Sequence, residues 1–243
     1  DNKNRRWDED GRNNVWEDDQ FKGWASEKGK TYIDDDLLGY MTAEAAKEEG
    51  ESGSANVRRA VLEVTRAVSL TPWPGDVTFN AASPGATPSA QKKGSNPVPY
   101  GTELHATRYQ YGVALTPERL RDKSRAAKAV EALCNLGTVA GNHGRFLFDF
   151  SPDAVVLRIT ADPAPRLLYC FGTDDDGRTL HAAALVQRIK SKDIQADELV
   201  VGVGDLASPL AQQLKDAGVQ PQGVKAACAE AVKRINSQLQ LKG

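Results

Sequence analysis

Histidine, cysteine and methionine are scarce in this chain: three, three and one among 243 residues. The cysteines (Cys134, Cys170 and Cys228) are odd in number, far apart and set among apolar neighbours. That excludes a disulfide framework and a zinc site of ordinary spacing. His105, His143 and His181 are equally scattered, so neither a metal cluster nor a cofactor is expected. No apolar run approaches the roughly 18 residues needed to cross a bilayer, and the polar opening stretch carries no signal-peptide pattern. A cytoplasmic protein with no membrane partner is expected. The sequence also lacks a GxSxG elbow, and no Ser or Cys sits beside a histidine in a nucleophile pattern, so no enzyme is expected.

What is present is an uneven distribution of charge. The formal net charge is −2. Residues 1–53 hold 8 Lys/Arg against 15 Asp/Glu, net −7, and residues 54–145 hold 12 against 6, net +6. The basic middle third points to a polyanionic partner. Residues 1–55 read as an irregular or helical subdomain ending in a linker (EAAKEEGESGSA), and residues 56–243 as the main domain. Three of the four tryptophans lie at the start, where they serve either a small core or base stacking.

Residues 57–70 (VRRAVLEVTRAVSL) read as a strand, with a helix left open, and residues 103–115 alternate as a half-buried strand. Thr116-Pro117-Glu118 predicts the start of a helix whose apolar face is Leu120, Ala127, Val130, Leu133 and Cys134. Strands are expected at 145–150, 154–160, 167–171, 182–189 and 199–203, and helices at 208–217 and 224–239. The fold class is α+β with a mostly antiparallel sheet.

Between the first two strand segments lies a 28-residue loop, 75–102 (GDVTFNAASPGATPSAQKKGSNPVPYGT). Loops of that length are functional or disordered. It has no acid after Asp76, carries Lys92 and Lys93, and has Phe79 and Tyr100 near its ends, a mixture that suits a nucleic-acid backbone. A solvated hairpin is the other reading. In the turn AGNHGR, Asn142, His143 and Arg145 stand between a helix end and a strand. Arg145 suits phosphate, while a helix C-cap and plain surface turn explain the same residues. Asp34, Asp35 and Asp36 form an acidic run that invites a magnesium reading. A second run, Asp174 to Asp176 followed by Gly177, reads as a hairpin turn. The GxG of VVGVGDLASPL lacks the remaining glycine of a dinucleotide fingerprint, and a tight turn before a helix capped at Ser208-Pro209 explains it better.

Four blocks in order, DDDLLGYM, VRRAVLEVTRAVSLTPWPGDVTFN, ELHATRYQYGVAL and GNHGRFLFDFSP, resemble the backbone subunit of type I CRISPR effector complexes (Cascade), in its DevR-like branch. The resemblance implies a modified RNA-recognition-motif (ferredoxin-like) palm, a finger subdomain and a thumb, which 75–102 matches in position. It implies a non-catalytic subunit of an I-B-like complex that polymerises along a CRISPR RNA and presents it for pairing with target DNA. The implied partners are that RNA, the target DNA, further copies of the chain, a 5'-handle cap, large and small subunits and a guide-processing endonuclease. Lys92, Lys93, Asn142, His143 and Arg145 carry over as RNA contacts, with Phe79 and His105 at the feet of the thumb. Arg58, Arg59 and Arg108 join them on charge and position. The family pattern also places a β-strand and a basic helix ahead of these blocks, so the groove read from this sequence is a part of the whole. A related metal-dependent endoribonuclease, with Asp34 to Asp36 as its acids, is the alternative.

Overall fold

A computed structural model of the chain describes residues 5–7, 14–16, 33–44, 54–82, 98–136, 150–174 and 177–240. Helices and antiparallel strand pairs alternate along it, an α+β fold. Near the start, β1 (Arg5–Trp7) pairs with β2 (Asn14–Trp16). Helix α1 (Ile33–Leu38) leads through Gly39 into β3 (Tyr40–Glu44), which pairs with β4 (Ser54–Arg58). The acidic run is therefore helical. The expected division near residue 55 falls inside β4, so the segments on its two sides share a strand pair.

The expected continuous strand 57–70 is broken into three pieces. After β4, the backbone N–H of Val61 turns aside to donate to the carbonyl of Leu37 at 2.9 Å. Only then do β5 (Leu62–Val64) and β6 (Val68–Ser69) follow. Next come β7 (Val77–Ala82), β8 (Val98–Glu103), β9 (Tyr109–Gln110) and β10 (Val113–Leu115). They pair as β5 with β10, β6 with β9 and β7 with β8.

The expected helix at Thr116 is only one 3₁₀ turn, Pro117–Arg119, and α2 (Arg125–Cys134) begins six residues beyond Arg119. A tertiary contact decides this. The buried carboxylate of Asp36 accepts the backbone N–H groups of Arg121 (3.1 and 3.2 Å) and Asp122 (3.2 Å), which a continuous helix would need for its own ladder. The chain resumes as α2 after Asp122 accepts from the N–H of Ser124 at 2.9 Å.

The C-terminal half is built around β14 (Leu199–Val203), whose five residues are all buried. Its antiparallel partner is β11 (Ala154–Arg158). Leu199, Val201 and Val203 pack into a cluster with Leu185 of α3 (Ala183–Lys190) and with Leu210, Ala211 and Leu214 of α4 (Pro209–Asp216). Val200 on the other side meets Ala227 and Ala231 of α5 (Val224–Gln238). A strand covered on both faces reads as an unbroken apolar run, as LVVGV does. Further along, Ile235 and Leu239 reach a third cluster of Val61, Leu120 and Ala126. One helix thus ties the C-terminal core to the region where the paired strands begin.

Two expected strands are not strands. Residues 166–169 form a turn, with Tyr169 at φ 51°, and regular pairing starts only at β12 (Gly172–Thr173) with β13 (Leu180–His181). Residues 183–190 are helix α3, in which Leu185 and Ile189, one turn apart, both face the core. The acidic hairpin turn is present: the N–H of Gly177 donates to Asp174 O at 2.8 Å, with Gly177 at φ 71°. The Ser208 hydroxyl caps α4 by accepting from the N–H of Ala211 at 3.2 Å. Among the described residues no helix is long and apolar enough to cross a membrane. The expected strand 145–150 lies outside the described residues except for its last position.

Candidate nucleic-acid interface

The strand pairs of the basic middle third lie end to end as one interrupted antiparallel ribbon. Val64 pairs with Val113, Val68 with Gln110, Ser69 with Tyr109 and Val77 with Glu103. Between Val64 and Val68 the first arm advances four residues while the second advances three. Between Ser69 and Val77 it advances eight against six. The extra residues bulge the first arm, and such insertions bend and twist a ribbon. The larger bulge contains Pro72 and Pro74, which have no N–H to give to a ladder. Trp73 restores a donor from its side chain, its Nε1 donating to the carbonyl of Leu104 at 3.1 Å. Gly75, at φ 84°, returns the chain to regular pairing.

Both ends of the expected loop 75–102 are therefore strand. Six residues of β7 pair with six of β8, from Val77 opposite Glu103 to Ala82 opposite Val98. The two faces of this outer section differ. Val77 and Phe79 lie on one, Phe79 opposite Gly101 and 81% exposed. On the other, Thr78 donates to Thr102 O at 3.3 Å, and the Asn80 amide donates to the Thr78 hydroxyl at 3.1 Å and the Thr102 hydroxyl at 3.4 Å. Tyr100, opposite Asn80, shares that polar face. Residues 83–97, which join the two strands, contain Lys92 and Lys93 and no acid.

The inner end of the ribbon is fastened to the segment 153–178. The Gln110 side chain substitutes for a neighbouring strand: its Nε2 donates to Phe171 O at 3.0 Å and its Oε1 accepts from Phe171 N–H at 3.1 Å. The Tyr169 hydroxyl donates to Arg66 O at 3.2 Å, and the Thr173 hydroxyl to Leu70 O at 3.1 Å. Nearby, the Thr71 and Thr107 hydroxyls are 2.7 Å apart and His105 meets Tyr109 edge to face. These links hold the inner end, and the outer hairpin of β7 and β8 continues the ribbon beyond them.

The candidate residues divide accordingly. Phe79 stands on the apolar face of the outer hairpin, and His105 lies farther in, between β8 and β9. Arg108 is engaged in structure: its Nε donates to Asp153 at 2.7 Å and its Nη1 to the carbonyls of Gly177 (3.1 Å) and Arg178 (3.3 Å). Arg58 is away from the hairpin, paired with Asp36 and donating to Arg119 O at 3.3 Å. Arg59, its neighbour, is exposed. Lys92, Lys93, Asn142, His143 and Arg145 lie outside the described residues. Sequence reasoning passed over Trp73 and Val77; the signals were two prolines around an aromatic, and the alternation of VTFN.

Asp36 is fully buried and receives Arg58, the Nη1 of Arg125 at 3.0 Å and the two backbone N–H groups already named. Burial works to raise its pKa, but those N–H donors and the Arg125 charge outweigh it and hold the carboxyl below its ordinary value. An acid enclosed by two guanidinium groups is a structural counterion. In the GxG, already read as a turn, Gly202 has a packing role. A Cβ on Gly202 would lie 2.8 Å from Val224 Cα and 2.9 Å from Val155 Cγ1, so glycine is what lets α5 approach β14.

Comparison with known proteins agrees with the blocks of sequence on which this ribbon lies. A family model described as CRISPR-associated negative auto-regulator DevR/Csa2 matches residues 9–173. A protein of Myxococcus xanthus (strain DK1622), described as CRISPR-associated protein Cas7/Cst2/DevR, is 61% identical over 236 residues, covering 96% of this chain and 78% of that protein.

Proposed function

The chain belongs to the CRISPR-associated DevR/Csa2 family, and we propose that it is a non-catalytic backbone subunit that polymerises along a CRISPR RNA in a type I effector complex. The observation that carries this reading is the ribbon: an antiparallel hairpin, fastened at its inner end, whose connecting segment holds two lysines and no acid. Such an arm reaches a polyanion through phosphate charge and presents Phe79 beside it. It needs no base-specific contact. That suits a subunit whose guide must remain readable by base pairing with target DNA.

The hairpin acts as the thumb, reaching over the guide at the next copy, and the core around β14 acts as an RNA-recognition-motif palm. On the same reading Asn142, His143 and Arg145 are further contacts to the guide. The remaining partners are a 5'-handle cap, large and small subunits, a guide-processing endonuclease and target DNA paired to the guide. The engagement of Asp36 by Arg58 and Arg125 speaks for a scaffold over an endoribonuclease using the 34–36 acids.

The test is a K92E/K93E double variant in guide-RNA binding over a salt series. Affinity falls and the slope of log K against log salt shrinks by roughly 1.4, about 0.7 per lost single-strand phosphate contact. Unchanged affinity and slope would remove the hairpin from the RNA interface.

A further inference from the structure

Four side chains meet at the larger bulge of the ribbon. The Thr71 and Thr107 hydroxyls are 2.7 Å apart, His105 Nε2 stands 3.5 Å from Thr71 Oγ1, and the His105 ring meets Tyr109 edge to face, with centroids 6.1 Å apart. Successive residues of an extended strand point to opposite sides. Arg108 and Gln110 turn toward the segment 153–178, where they bond Asp153, Gly177 and Phe171. Thr107 and Tyr109 therefore stand on the other face, and Tyr109 is 51% exposed. Thr71 is held in one orientation: a Cβ on Gly177 would run into Thr71 Cγ2, so the methyl lies against the bare glycine and the hydroxyl is directed at Thr107.

The bonding directions assign the imidazole tautomer. The Thr107 hydroxyl donates to Arg108 O at 3.2 Å, so the proton between the two threonines comes from Thr71. Thr71 Oγ1 is then an acceptor toward His105 Nε2, which carries the ring proton, and Nδ1 is left as an acceptor. Among the described residues neither His105 Nδ1 nor the Tyr109 hydroxyl has a hydrogen-bond partner.

An open imidazole acceptor beside an open phenol, with no Lys or Arg among the four side chains, does not suit phosphate. It suits a sugar. A ribose 2'-hydroxyl both donates and accepts, and it is the group that separates RNA from DNA. We propose that this face is a ribose subsite that selects RNA over DNA, in which a 2'-hydroxyl donates to His105 Nδ1 and accepts from the Tyr109 hydroxyl.

The subsite rests on the RNA-binding reading above and adds what phosphate charge cannot supply, since RNA and DNA strands carry the same phosphates. Discrimination matters to a scaffold whose partners include DNA. The two arms that hold the cluster continue into β7 and β8, so one strand following the ribbon meets both the subsite and the hairpin. Thr71 and Thr107 are positioning residues here: they fix the tautomer of His105 and do not themselves touch the sugar. A site built to hydrogen-bond a hydroxyl rejects the analogue lacking it, because its own polar groups are then left unpaired.

The experiment titrates the full chain with a single-stranded RNA and with its 2'-deoxy counterpart, deoxyuridine replacing uridine so that only the 2'-hydroxyls differ. Wild type is expected to bind the RNA roughly tenfold tighter, as two net hydrogen bonds allow. Tyr109→Phe and His105→Phe keep a ring in place and remove the polar atoms. Each is expected to weaken RNA binding roughly threefold and to leave DNA binding unchanged. The salt slope stays as in wild type, whereas a lost phosphate contact would reduce it. The double variant is expected to bind both strands alike. K92E/K93E is expected to weaken RNA and DNA equally and to keep the preference. Equal binding of RNA and DNA by wild type, or a preference that survives in the double variant, would overturn the subsite and leave the RNA-binding reading standing. Wild type that binds neither strand would overturn both.

Discussion

Asp36 and Arg125, 89 residues apart in the chain, meet in the interior at 3.0 Å, with side chains 0% and 6% exposed. Arg58 completes the group from β4. Breaking such a pair leaves a charge buried without compensation, which costs about 3–5 kcal/mol. Asp36→Asn is therefore expected to lower stability by about that amount in denaturant unfolding, with α2 and the foot of the ribbon loosened together. A loss under 1 kcal/mol would show that solvent takes over the role of the carboxylate.

The same residue sets a pH dependence. Because the folded state holds the Asp36 carboxyl below its ordinary value, the unfolded chain binds that proton more tightly. Its contribution is complete above the unfolded carboxylate value of about 3.9 and is lost as pH falls through the lower folded value. Acid unfolding curves of the wild type and Asp36→Asn are expected to converge in that window. Curves that stay parallel down to acid unfolding would place the pH sensitivity elsewhere.

Arg108 separates a structural role from RNA contact. Its guanidinium already serves Asp153 and two carbonyls, while its side chain is 41% exposed. Arg108→Ala is expected to cost about 1 kcal/mol of stability, as an exposed ion pair with added hydrogen bonds does, and to leave the salt slope of RNA binding unchanged. A slope reduced by about 0.7 would assign it a phosphate instead.

Phe79 gives the opposite pattern. At 81% exposed it contributes little to the fold, so Phe79→Ala is expected to shift Tm by under about 2 °C. Co-assembly with guide RNA, followed by sedimentation, is expected to weaken, since stacking on an aromatic is worth about 1–3 kcal/mol. Assembly equal to wild type would leave the apolar face of the hairpin without a part in it.

Gly202→Ala tests the packing explanation of the GxG. The added methyl meets Val224, Val155 and Ala227, and overpacking at such a site costs about 1–3 kcal/mol. The expected result is a lower unfolding midpoint, with no nucleotide binding to lose in wild type. Saturable ATP or NAD binding by the wild-type chain would restore the cradle reading.

The sequence by itself determined the features that depend on local chemistry or on order along the chain. LVVGV announced a strand, Ser208-Pro209 a capped helix, Asp174 to Gly177 a hairpin turn, and 224–239 a helix. The order of four blocks also determined the family. Tertiary structure alone decided whatever required a distant partner. Nothing near Pro117 shows that its helix stops after one turn, because the acceptor that takes the next N–H groups is Asp36, some 85 residues earlier. The strand expected over 167–171 is a turn followed by a residue whose backbone bonds go to the Gln110 side chain. And the two ends of a loop rich in glycine and proline became strands of a ribbon because cross-strand pairing, which propensity does not record, supplied the hydrogen bonds that their own sequence could not.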